Sequence, residues 1–588
     1  MILILAEKPK AAYKIAKFLS NGNFKKRKLL NLTYYEFFRE GKKYVCTSAL
    51  GHLFKLDTQD KYWYYPVFNA KWLPSFKEFG KKRLKNYLKA LSILGRKAED
   101  IIIATDYDIE GDVIGYNILR FVFGRKNAKR MKFSALTKAD IENSFRNLMP
   151  SLDFGQVFAG LARHYLDFYW GINLTRALSI CARKFKPSLT ISSGRVQSPT
   201  LYLIFKREKE REEFKPKPFW RIKVTLKADG TEFSCSYKKG EIWNEKEAKE
   251  IYEKVKNAEF ALVKNFEKKV VRKPRPPPFD LTTLQRECFK FFKLTPSQTL
   301  KIAENLYLNG LISYPRTSSQ KIPPNLNLRN IIKNLGKLSN YSSFCKEILK
   351  GRIKIREGRK SDPAHPAIHP TGLLPRKLSK KELMVYDLIV RRFLASAFRD
   401  CIKLEKICEI EIEGEIFTAK GSEIKEKGWL LIYPTKLKLT HLPDLKEKQR
   451  IKIKEVKLEE DRTKPPERYN LSRILEEMER RKLGTKGTRS RILDILYKRG
   501  FIEGKKNIRI SELGKKLVVT LEKFSPQVLD EKLSRRFEEL MDKIRGRSLR
   551  LEDVLEEAKK EVRKILSKIK EKEREIGFYL VKPNSLKK

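Results

Sequence analysis

Two short, largely apolar segments of the chain each end in acidic residues and lead into a helix-like pattern. Residues 1–6 (Met-Ile-Leu-Ile-Leu-Ala) and residues 100–105 (Asp-Ile-Ile-Ile-Ala-Thr) have the length and composition of strands buried on both faces. Residues 11–20 and 113–123 follow them with apolar positions at helical spacing. Because open α/β sheets bind ligands beyond the carboxyl ends of their strands, the two acidic turns are predicted to lie at a functional edge.

These turns carry carboxylates that could meet at one point. Glu7 follows the first segment, and Asp106, Asp108 and Glu110 alternate after the second. Such a set suits Mg²⁺, which takes one or two carboxylates and otherwise keeps water or phosphate oxygens. For the D-x-D-x-E segment alone, an acidic solvated turn that caps the next helix is the alternative. Glu7, at the same end of another strand in a basic protein, favours the metal site.

A tyrosine in a proline-punctuated loop is the candidate nucleophile. Tyr314 lies two residues before Arg316 in Ser-Tyr-Pro-Arg-Thr, after helix-like stretches at residues 281–293 and 295–309. A free phenol has a pKa of about 10, so a nucleophilic tyrosine needs a nearby cation, and arginine keeps its charge. A loop tyrosine beside a solvated arginine is the alternative, since short motifs also match by chance.

The charge of the chain indicates a polyanionic partner. Lys+Arg number 129 against 72 Asp+Glu, a net charge of +57 spread along all 588 residues, which favours a basic face or channel. The seven cysteines are scattered without a C-x2-C pair, which predicts a reducing compartment and no zinc. The first residues lack the basic start of a signal peptide, and no apolar run approaches membrane-spanning length. We therefore expect a cytoplasmic protein with no membrane contact.

Two further segments have the composition of phosphate-binding turns. Residues 192–197 combine small hydroxyl side chains, glycine, arginine and glutamine at a predicted helix start (Ser192, Ser193, Gly194, Arg195, Val196 and Gln197). An ordinary helix cap fits that segment equally well. Residues 484–489, which include Thr485, Thr488 and Arg489, form a second candidate at a helix entry.

Single basic residues elsewhere are weaker candidates. Arg163 and Arg176 lie in a helical stretch, where capping or covering a helix is the commoner role of an arginine. His365 and His369 have the spacing of a helical metal pair, but the prolines between them forbid helical geometry. A phosphate-contacting loop is therefore favoured for these histidines.

Strand-like alternation appears twice, on either side of the tyrosine segment. Residues 218–271 and 403–459 alternate apolar and polar side chains, and proline-rich stretches at 274–278 and 463–466 mark boundaries. The pattern predicts one β domain interrupted by a helical insert that carries Tyr314.

Together these short motifs resemble a type IA DNA topoisomerase, and the match covers nearly the whole chain. The motifs that carry the resemblance, in order, are Glu7-Lys8-Pro9, Asp106-x-Asp108-x-Glu110-Gly111, Ser193-Gly194-Arg195-Val196-Gln197, Thr282-Thr283-Leu284-Gln285, Tyr314-x-Arg316-Thr317, His365-x-Ala367-Ile368-x-Pro370-Thr371, Pro465-Pro466-x-Arg468-Tyr469 and Gly484-Thr485-x-x-Thr488-Arg489.

The resemblance implies a multidomain α/β plus α+β fold, in which four domains form a torus that admits DNA. The expected domains are a Toprim α/β domain (residues 1–135), a helical DNA-binding domain (136–215 with 464–588), a β-rich arch (216–275 with 400–463) and a helical domain that carries the tyrosine (276–399).

The resemblance also implies the roles of the cleavage residues. Tyr314 would attack a single-strand phosphodiester, forming a 5′-phosphotyrosyl link and releasing a 3′-hydroxyl. Arg316 would stabilise the developing charge, Lys8 would bind the scissile phosphate, and Glu7 would handle the leaving-group proton. In a closed form, Tyr314 and Arg316 would then lie next to Glu7, Lys8 and Asp106.

Metal and DNA contacts follow from the same resemblance. Asp106 and Asp108, with Glu110 in support and Glu7 shared, would hold the Mg²⁺ that the family needs chiefly for closing the strand. The residues expected to grip the single strand are Arg163, Arg176, the 192–197 segment, His365, Thr485, Thr488 and Arg489.

The sequence also bears on the energy source of the reaction and on the cellular location of the protein. One phosphodiester is exchanged for another, so negatively supercoiled DNA would relax without ATP, and the chain has no G-x4-G-K-[ST] loop. We expect a monomeric, nucleoid-associated enzyme of archaeal type. Three departures from the family pattern are Asp112 in place of a glutamate, His369 in place of a common arginine, and the missing zinc-ribbon tail.

Two other readings fit part of the pattern. A Toprim-type nuclease or primase would share Glu7, Asp106 and Asp108 but would have no use for Tyr314. A non-catalytic, basic DNA-organising protein would account for the charge alone.

Overall fold

The computed structural model describes residues 1–59, 62–77, 83–433, 435 and 437–582. Four clusters of buried apolar side chains organise these residues. Two cover the opposite faces of an N-terminal sheet, one fills a β-barrel, and one joins the long helices of the C-terminal part to a central helix. The protein is thus built from several cores of mixed α/β character, as the sequence predicts.

The N-terminal part is an α/β unit. Its elements in chain order are β1 (Ile2–Ala6), α1 (Pro9–Leu19), β2 (Lys25–Leu29), β3 (Leu32–Arg39), β4 (Lys42–Ser48), β5 (Phe54–Asp57), β6 (Lys71–Pro74), α2 (Arg83–Arg96), β7 (Asp100–Ala104), α3 (Ile109–Phe121), β8 (Lys129–Arg130) and α4 (Lys138–Arg146), with a 3₁₀ turn at Ser75–Lys77. Six strands form a sheet in the order β2-β3-β4-β1-β7-β8, while β5 pairs with β6.

The sheet brings the two predicted acidic turns together. β1 and β7 are neighbouring parallel strands whose register sets Ile2 opposite Asp100 and Ala6 opposite Ala104. Both strands are nearly continuous apolar runs because the sheet is covered on both faces. Since the strands end side by side, Glu7 and Asp106 leave the sheet at the same edge.

A buried arginine fixes the turn that follows β7. Arg130 has no exposed surface, and its Nε donates to Asp112 Oδ1 at 2.8 Å. Its Nη1 and Nη2 donate to the carbonyl groups of Thr105 and Asp106 at 2.8 and 2.9 Å. Gly111 is required in the same turn, because a Cβ atom there would lie 2.0 Å from the Asp106 carbonyl oxygen. Asp112, one of the departures noted above, is therefore a partner of Arg130.

A long central helix connects this unit to the rest of the chain. After α4 come α5 (Phe154–Arg183) and α6 (Gln197–Glu212). Gly160 of α5 lies so close to α3 that a Cβ atom would approach the Val113 side chain to 2.4 Å. This contact presses α5 against the helix that begins at the acidic turn.

The next part of the chain is a β-barrel with a helical insert. Its elements are β9 (Pro218–Ala228), β10 (Thr231–Tyr237), α7 (Glu245–Val255), β11 (Phe260–Lys273), α8 (Leu281–Phe292), α9 (Pro296–Leu308), α10 (Leu328–Leu335), α11 (Ser339–Leu349), α12 (Lys380–Ala397), β12 (Cys401–Ile412), β13 (Glu415–Glu426) and β14 (Arg450–Arg462), with a 3₁₀ turn at Gly428–Leu431.

The barrel is closed by strands from both sides of the insert, in the order β10-β13-β12-β11-β14-β9. Residues 274–400 leave the barrel from β11 and return to it in β12, and the last residue of β11, Lys273, pairs with the first of β12, Cys401. The insert that carries Tyr314 is thus attached through two neighbouring antiparallel strands. The domain boundaries given above stay a prediction.

The remaining elements are mainly helices: α13 (Leu471–Arg480), α14 (Arg489–Lys498), β15 (Ile502–Glu503), β16 (Arg509–Ile510), α15 (Glu512–Phe524), α16 (Glu531–Arg545), α17 (Leu551–Glu571) and α18 (Glu573–Val581), with a 3₁₀ turn at Pro526–Val528. Buried side chains of α16, α17 and α18 share one core with α5. All seven cysteines are buried and free. Within the described ranges, no helix is long and apolar enough to cross a membrane.

Replacing Arg130 with methionine should destabilise the N-terminal unit strongly. The variant leaves the buried Asp112 carboxylate without its counter-charge, and breaking a buried pair in this way costs about 3–5 kcal/mol. Lys129→Met is the matched control, because Lys129 and Asp100 form a largely exposed pair worth at most about 1 kcal/mol. Urea unfolding of the two variants measures the difference, and equal losses would contradict this role for Arg130.

Candidate active site

The carboxyl edge of the sheet gathers two carboxylates around one lysine. Glu7 leaves β1 and Asp106 leaves β7 at this edge, and Lys8 Nζ lies 3.4 Å from Glu7 Oε1 and 3.4 Å from Asp106 Oδ2. Asp108 follows two residues later, where its Oδ1 accepts the Gly111 N–H at 2.8 Å and caps α3. Asp108 Oδ1 therefore caps the helix, as the alternative interpretation of the D-x-D-x-E segment predicts. Asp108 Oδ2 faces the insert.

Tyr314 of the insert meets that second oxygen. Its Oη donates a hydrogen bond to Asp108 Oδ2 at 2.6 Å, and its backbone N–H donates to the Ser134 carbonyl at 2.8 Å. The side chain is only 2% exposed. Its ring packs against His365 at 4.5 Å and against Tyr307 at 5.1 Å between centroids. Residues about two hundred positions apart in the chain thus form one pocket.

Two residues of α9 complete the pocket. Arg316 Nε and Nη2 donate to Glu304 Oε1 at 2.9 and 2.6 Å, and its Nη1 lies 3.9 Å from Asp108 Oδ2. Tyr307 Oη donates to Asp106 Oδ1 at 3.2 Å. Neither Glu304 nor Tyr307 was predicted from the sequence. Their i, i+3 spacing on the helix that leads to Tyr314 is the one signal that they share a face.

Burial and crowding shift the ionisation of these groups. Burial, together with the charge of Asp106, raises the pKa of Glu7 to about 8. Burial also raises the pKa of Asp106 in spite of Lys8. Burial and the charges of Asp108 and Asp106 raise the pKa of the Tyr314 phenol well above its ordinary value. Glu7 Oε1 and Asp106 Oδ2 both lie 3.4 Å from Lys8 Nζ, and carboxylate oxygens are the donors that a hard divalent cation prefers, so these residues fit a divalent-cation site.

Comparison with known proteins agrees with this geometry. A family model described as DNA topoisomerase matches residues 151–556, and one described as Toprim domain matches residues 2–136. The chain belongs to the type IA DNA topoisomerase family. DNA topoisomerase 1 of Pyrococcus horikoshii is 45% identical over 99% of this chain and 86% of the relative. DNA topoisomerase 1 of Methanocaldococcus jannaschii is also 45% identical, over 99% of this chain and 76% of the relative.

A solved structure gives the same result for the fold. The full-length topoisomerase I of Thermotoga maritima superimposes with a TM-score of 0.74 at 25% sequence identity, covering 96% of this chain and 90% of that one. The predicted family, its Toprim unit and the multidomain fold class are confirmed, and DNA is the partner that the charge of the chain indicates.

Glu110 of this topoisomerase lies apart from the other predicted metal ligands. Its Oε2 is 3.0 Å from His52 Nε2 and 3.1 Å from His164 Nε2. Burial raises the pKa of Glu110, but the hydrogen bonds from His164 and His52 outweigh it and hold the pKa well below the ordinary value. The structure therefore orients Glu110 towards histidines that the sequence did not single out.

His365 is placed beside the nucleophile. Its Nε2 lies 2.9 Å from the Tyr107 carbonyl, which can only accept, so Nε2 carries the proton. Nδ1 then accepts from the Ser134 hydroxyl at 3.2 Å. Burial lowers the pKa of His365 to about 4, which keeps the ring neutral near pH 7. In this structure His365 holds the turn behind Tyr314, and its predicted contact with DNA stays a prediction.

Two of the arginines predicted to contact DNA are paired with protein groups in the structure. Arg195 is buried and donates to Asp167, Ser534 and Glu538. Arg163 lies 3.6 Å from the same Glu538 carboxylate. The Glu538 carboxylate thus pairs with both arginines.

Arg176 and Arg489 are held by backbone carbonyls. Arg176 donates to the Tyr64 carbonyl at 3.2 Å, and Arg489 donates to the Leu483 carbonyl at 3.2 Å. Arg489 Nη1 also lies 3.6 Å from Glu479 Oε1, and the Arg176 guanidinium lies over the Tyr64 ring.

The two glycine-containing turns lie close to each other and to the tyrosine segment. Ser193 shares a hydrogen bond with Ser198, and Gln197 Nε2 donates to Ser192 Oγ at 3.2 Å, so the 192–197 turn is closed on itself. Thr485 N–H donates to Thr488 Oγ1 at 2.9 Å. A Cβ atom on Gly484 would contact Val196, and one on Gly487 would lie 3.8 Å from Arg316 Cδ.

A salt bridge joins the 484–489 turn to the Tyr314 segment. Asp362 Oδ2 accepts from Lys486 Nζ and, at 2.9 Å each, from the backbone N–H and hydroxyl of Ser318. Burial raises the pKa of Asp362, but the Lys486 charge and these donors prevail and lower it to about 2. This pair has no local signal in the sequence, because 124 residues separate Asp362 from Lys486.

Asp362→Asn should loosen the Tyr314 segment locally. Losing a charge-assisted hydrogen bond lowers the local opening free energy by about 1.5–3 kcal/mol, so amide exchange in residues 314–320 should accelerate roughly tenfold or more. Hydrogen exchange measured by mass spectrometry provides the test. Glu476→Gln, which removes the more exposed Arg286–Glu476 pair between α8 and α13, is the control. Equal exchange in both variants would argue against this role for the Asp362–Lys486 salt bridge.

Proposed function

We propose that this topoisomerase cleaves one DNA strand through Tyr314, holds the 5′ end as a phosphotyrosyl link, passes DNA through the gap and reseals it. The observation that supports the proposal is the 2.6 Å hydrogen bond from Tyr314 Oη to Asp108 at the carboxyl edge of the Toprim sheet. A phenol held by a carboxylate and close to a guanidinium is oriented as a nucleophile with a proton acceptor already in contact.

Proton movement in the cleavage step can be followed with the residues of the pocket. As the bond from Tyr314 Oη to phosphorus forms, the phenol proton passes to Asp108. As the bond from phosphorus to O3′ breaks, O3′ takes a proton from Glu7. With its pKa raised to about 8, Glu7 holds that proton near neutral pH, as a general acid requires. Religation reverses both transfers.

Two cations would oppose the charge on the phosphate. Lys8, which in the structure lies between two carboxylates, would turn its ammonium to a phosphate oxygen. Arg316 would leave part of its contact with Glu304 to stabilise the pentacovalent intermediate as charge builds on the equatorial oxygens. Burial opposes the charge of both cations, but Asp106 and Glu7 raise the pKa of Lys8. Tyr314, Glu304 and Asp108 likewise raise the pKa of Arg316, so both cations keep their charge.

As part of this proposal, Glu7, Asp106 and Asp108 would bind Mg²⁺. When bound, it would supply positive charge that helps align the phosphate and the 3′-hydroxyl for religation. The proposed support from Glu110 requires its side chain to turn away from His52 and His164.

Access to Tyr314 requires movement of the insert. At 2% exposure the phenol cannot meet a phosphate in the present geometry, so a single strand enters only when the segment around Tyr314 shifts from the sheet edge. As part of the same proposal, the enzyme relaxes negatively supercoiled DNA as a monomer near the nucleoid. Underwound DNA supplies both the single-stranded substrate and the torsional energy, so ATP has no role.

Two neighbouring tyrosines allow a matched test of the nucleophile. Both Tyr314 and Tyr307 are buried and donate to a carboxylate of the acidic turn. Tyr314→Phe should abolish the covalent protein–DNA adduct on a single-stranded oligonucleotide and plasmid relaxation with Mg²⁺, whereas Tyr307→Phe should keep the adduct. Denaturing gels and relaxation assays with Mg²⁺ or a chelator measure these outcomes. Free cut product from Tyr314→Phe would favour the nuclease reading, and DNA binding without any cleavage by the wild type would favour a DNA-organising role.

The pH dependence of cleavage should report Glu7. Its raised pKa means that the proton is present below about pH 8 and is lost above it, so adduct formation without Mg²⁺ should fall as pH rises through 8. Glu7→Gln cannot donate this proton and should react about 10²–10⁴ times more slowly, without that alkaline fall. Single-turnover rates from pH 6 to about 9.5 provide the measurement. An unchanged alkaline fall in Glu7→Gln would exclude Glu7 as the acid.

A further inference from the structure

We propose that His52, Glu110 and His164 form a second metal site, which binds a divalent transition-metal ion such as Zn²⁺ or Co²⁺ and is separate from the magnesium site. The three side chains come from separate parts of the fold. His52 lies in the loop before β5, Glu110 in the first turn of α3, and His164 in the middle of α5.

The donor atoms converge on a single point. Both imidazoles direct Nε2 towards the same oxygen, Glu110 Oε2, at 3.0 and 3.1 Å, and the three donor atoms lie within 4.8 Å of one another. Zinc binds nitrogen and carboxylate oxygen at about 2.0–2.2 Å, so its neighbouring ligand atoms are about 3.0–3.5 Å apart. The two separations from Glu110 Oε2 to the imidazole nitrogens already have that spacing, and the two nitrogens lie within 4.8 Å of each other.

The surroundings suit a bound ion that exchanges with solvent. The side chains of His52, Glu110 and His164 are 33%, 29% and 27% exposed, which leaves an entry path and room for a water ligand. The indole of Trp72 packs on the His164 ring at 5.3 Å, and the two imidazoles contact each other at 5.2 Å. These contacts restrict the rings on one side and leave the donor atoms open on the other.

Ligand chemistry separates this site from the one at the sheet edge. Two imidazoles and one carboxylate favour borderline ions such as Zn²⁺, Co²⁺ and Ni²⁺, whereas Mg²⁺ prefers an all-oxygen set. The expectation of no zinc rested on cysteine spacing, which detects zinc ribbons and cannot detect a site made of histidines 112 residues apart. While this ion is bound, Glu110 stays with the two histidines, and Glu7, Asp106 and Asp108 hold Mg²⁺ without the support from Glu110.

A bound ion would join three segments of the protein. The loop of His52 and helix α3 belong to the Toprim unit, while α5 extends into the C-terminal helical core. Occupancy should therefore stiffen the junction between that unit and α5. A pair of ordinary hydrogen bonds from two imidazoles to one carboxylate is the competing explanation, and it binds no metal.

Cobalt binding to the full-length, chelator-treated chain tests the proposal. The wild type should give the visible absorption of Co²⁺ bound to nitrogen and oxygen, one ion per chain, which Zn²⁺ displaces and excess Mg²⁺ does not. His52→Gln and His164→Gln should each weaken binding by about a hundredfold or more. His441→Gln, at an exposed histidine elsewhere, is the matched control and should bind like the wild type.

Two further measurements guard against misfolded variants and the wrong site. Zn²⁺ should raise the thermal unfolding temperature of the wild type and of His441→Gln but not that of His52→Gln or His164→Gln, each compared with its own metal-free form. Asp106→Asn alters the predicted magnesium ligands and should keep the cobalt spectrum. The absence of a spectrum in the wild type, an unchanged spectrum in both cluster variants, or its loss only in Asp106→Asn would overturn the proposal.

Discussion

Arg130 carries a full charge inside the protein and shares it between the Asp112 carboxylate and the carbonyl groups that end β7. Those carbonyl groups belong to the turn that presents Asp106 and Asp108. Without a cation behind it, the turn would have to bury peptide oxygens and several carboxylates with too few donors. The positions of Tyr314, Tyr307 and Lys8 all depend on this turn, since each contacts one of its carboxylates.

Much of this arrangement could be predicted, because its signals are local. The apolar runs that became β1 and β7, and the helices after them, are recognisable from composition and periodicity alone. Parallel pairing then places Glu7 beside Asp106 with little freedom. The closed barrel was also foreseeable in outline, since both of its segments alternate in the manner of strands.

Other features depend on contacts between distant segments, for which a single sequence holds no local signal. Glu110 looks like one more ligand of the acidic turn, yet helix geometry points it to His52 and His164. Arg195 looks like a phosphate-binding residue, yet it lies buried against Glu538. In a chain with a charge of +57, such internal acids decide which arginines are paired within the protein, and only the packed structure identifies them.

The way in which the insert is joined to the barrel bears on how a strand could pass. Residues 274–400 are suspended from β11 and β12, whose ends at Lys273 and Cys401 are paired with each other. A two-stranded ribbon bends readily across its face and resists stretching along its length, so β11 and β12 can bend without separating. Such a joint would let the insert turn about β11 and β12 while its own helices stay packed. Two kinds of contact hold the insert in place: the apolar core that it shares with the N-terminal sheet, and ion pairs such as Lys486–Asp362. Salt screens the ion pair and leaves the apolar core intact, so ionic strength alone would not release the insert.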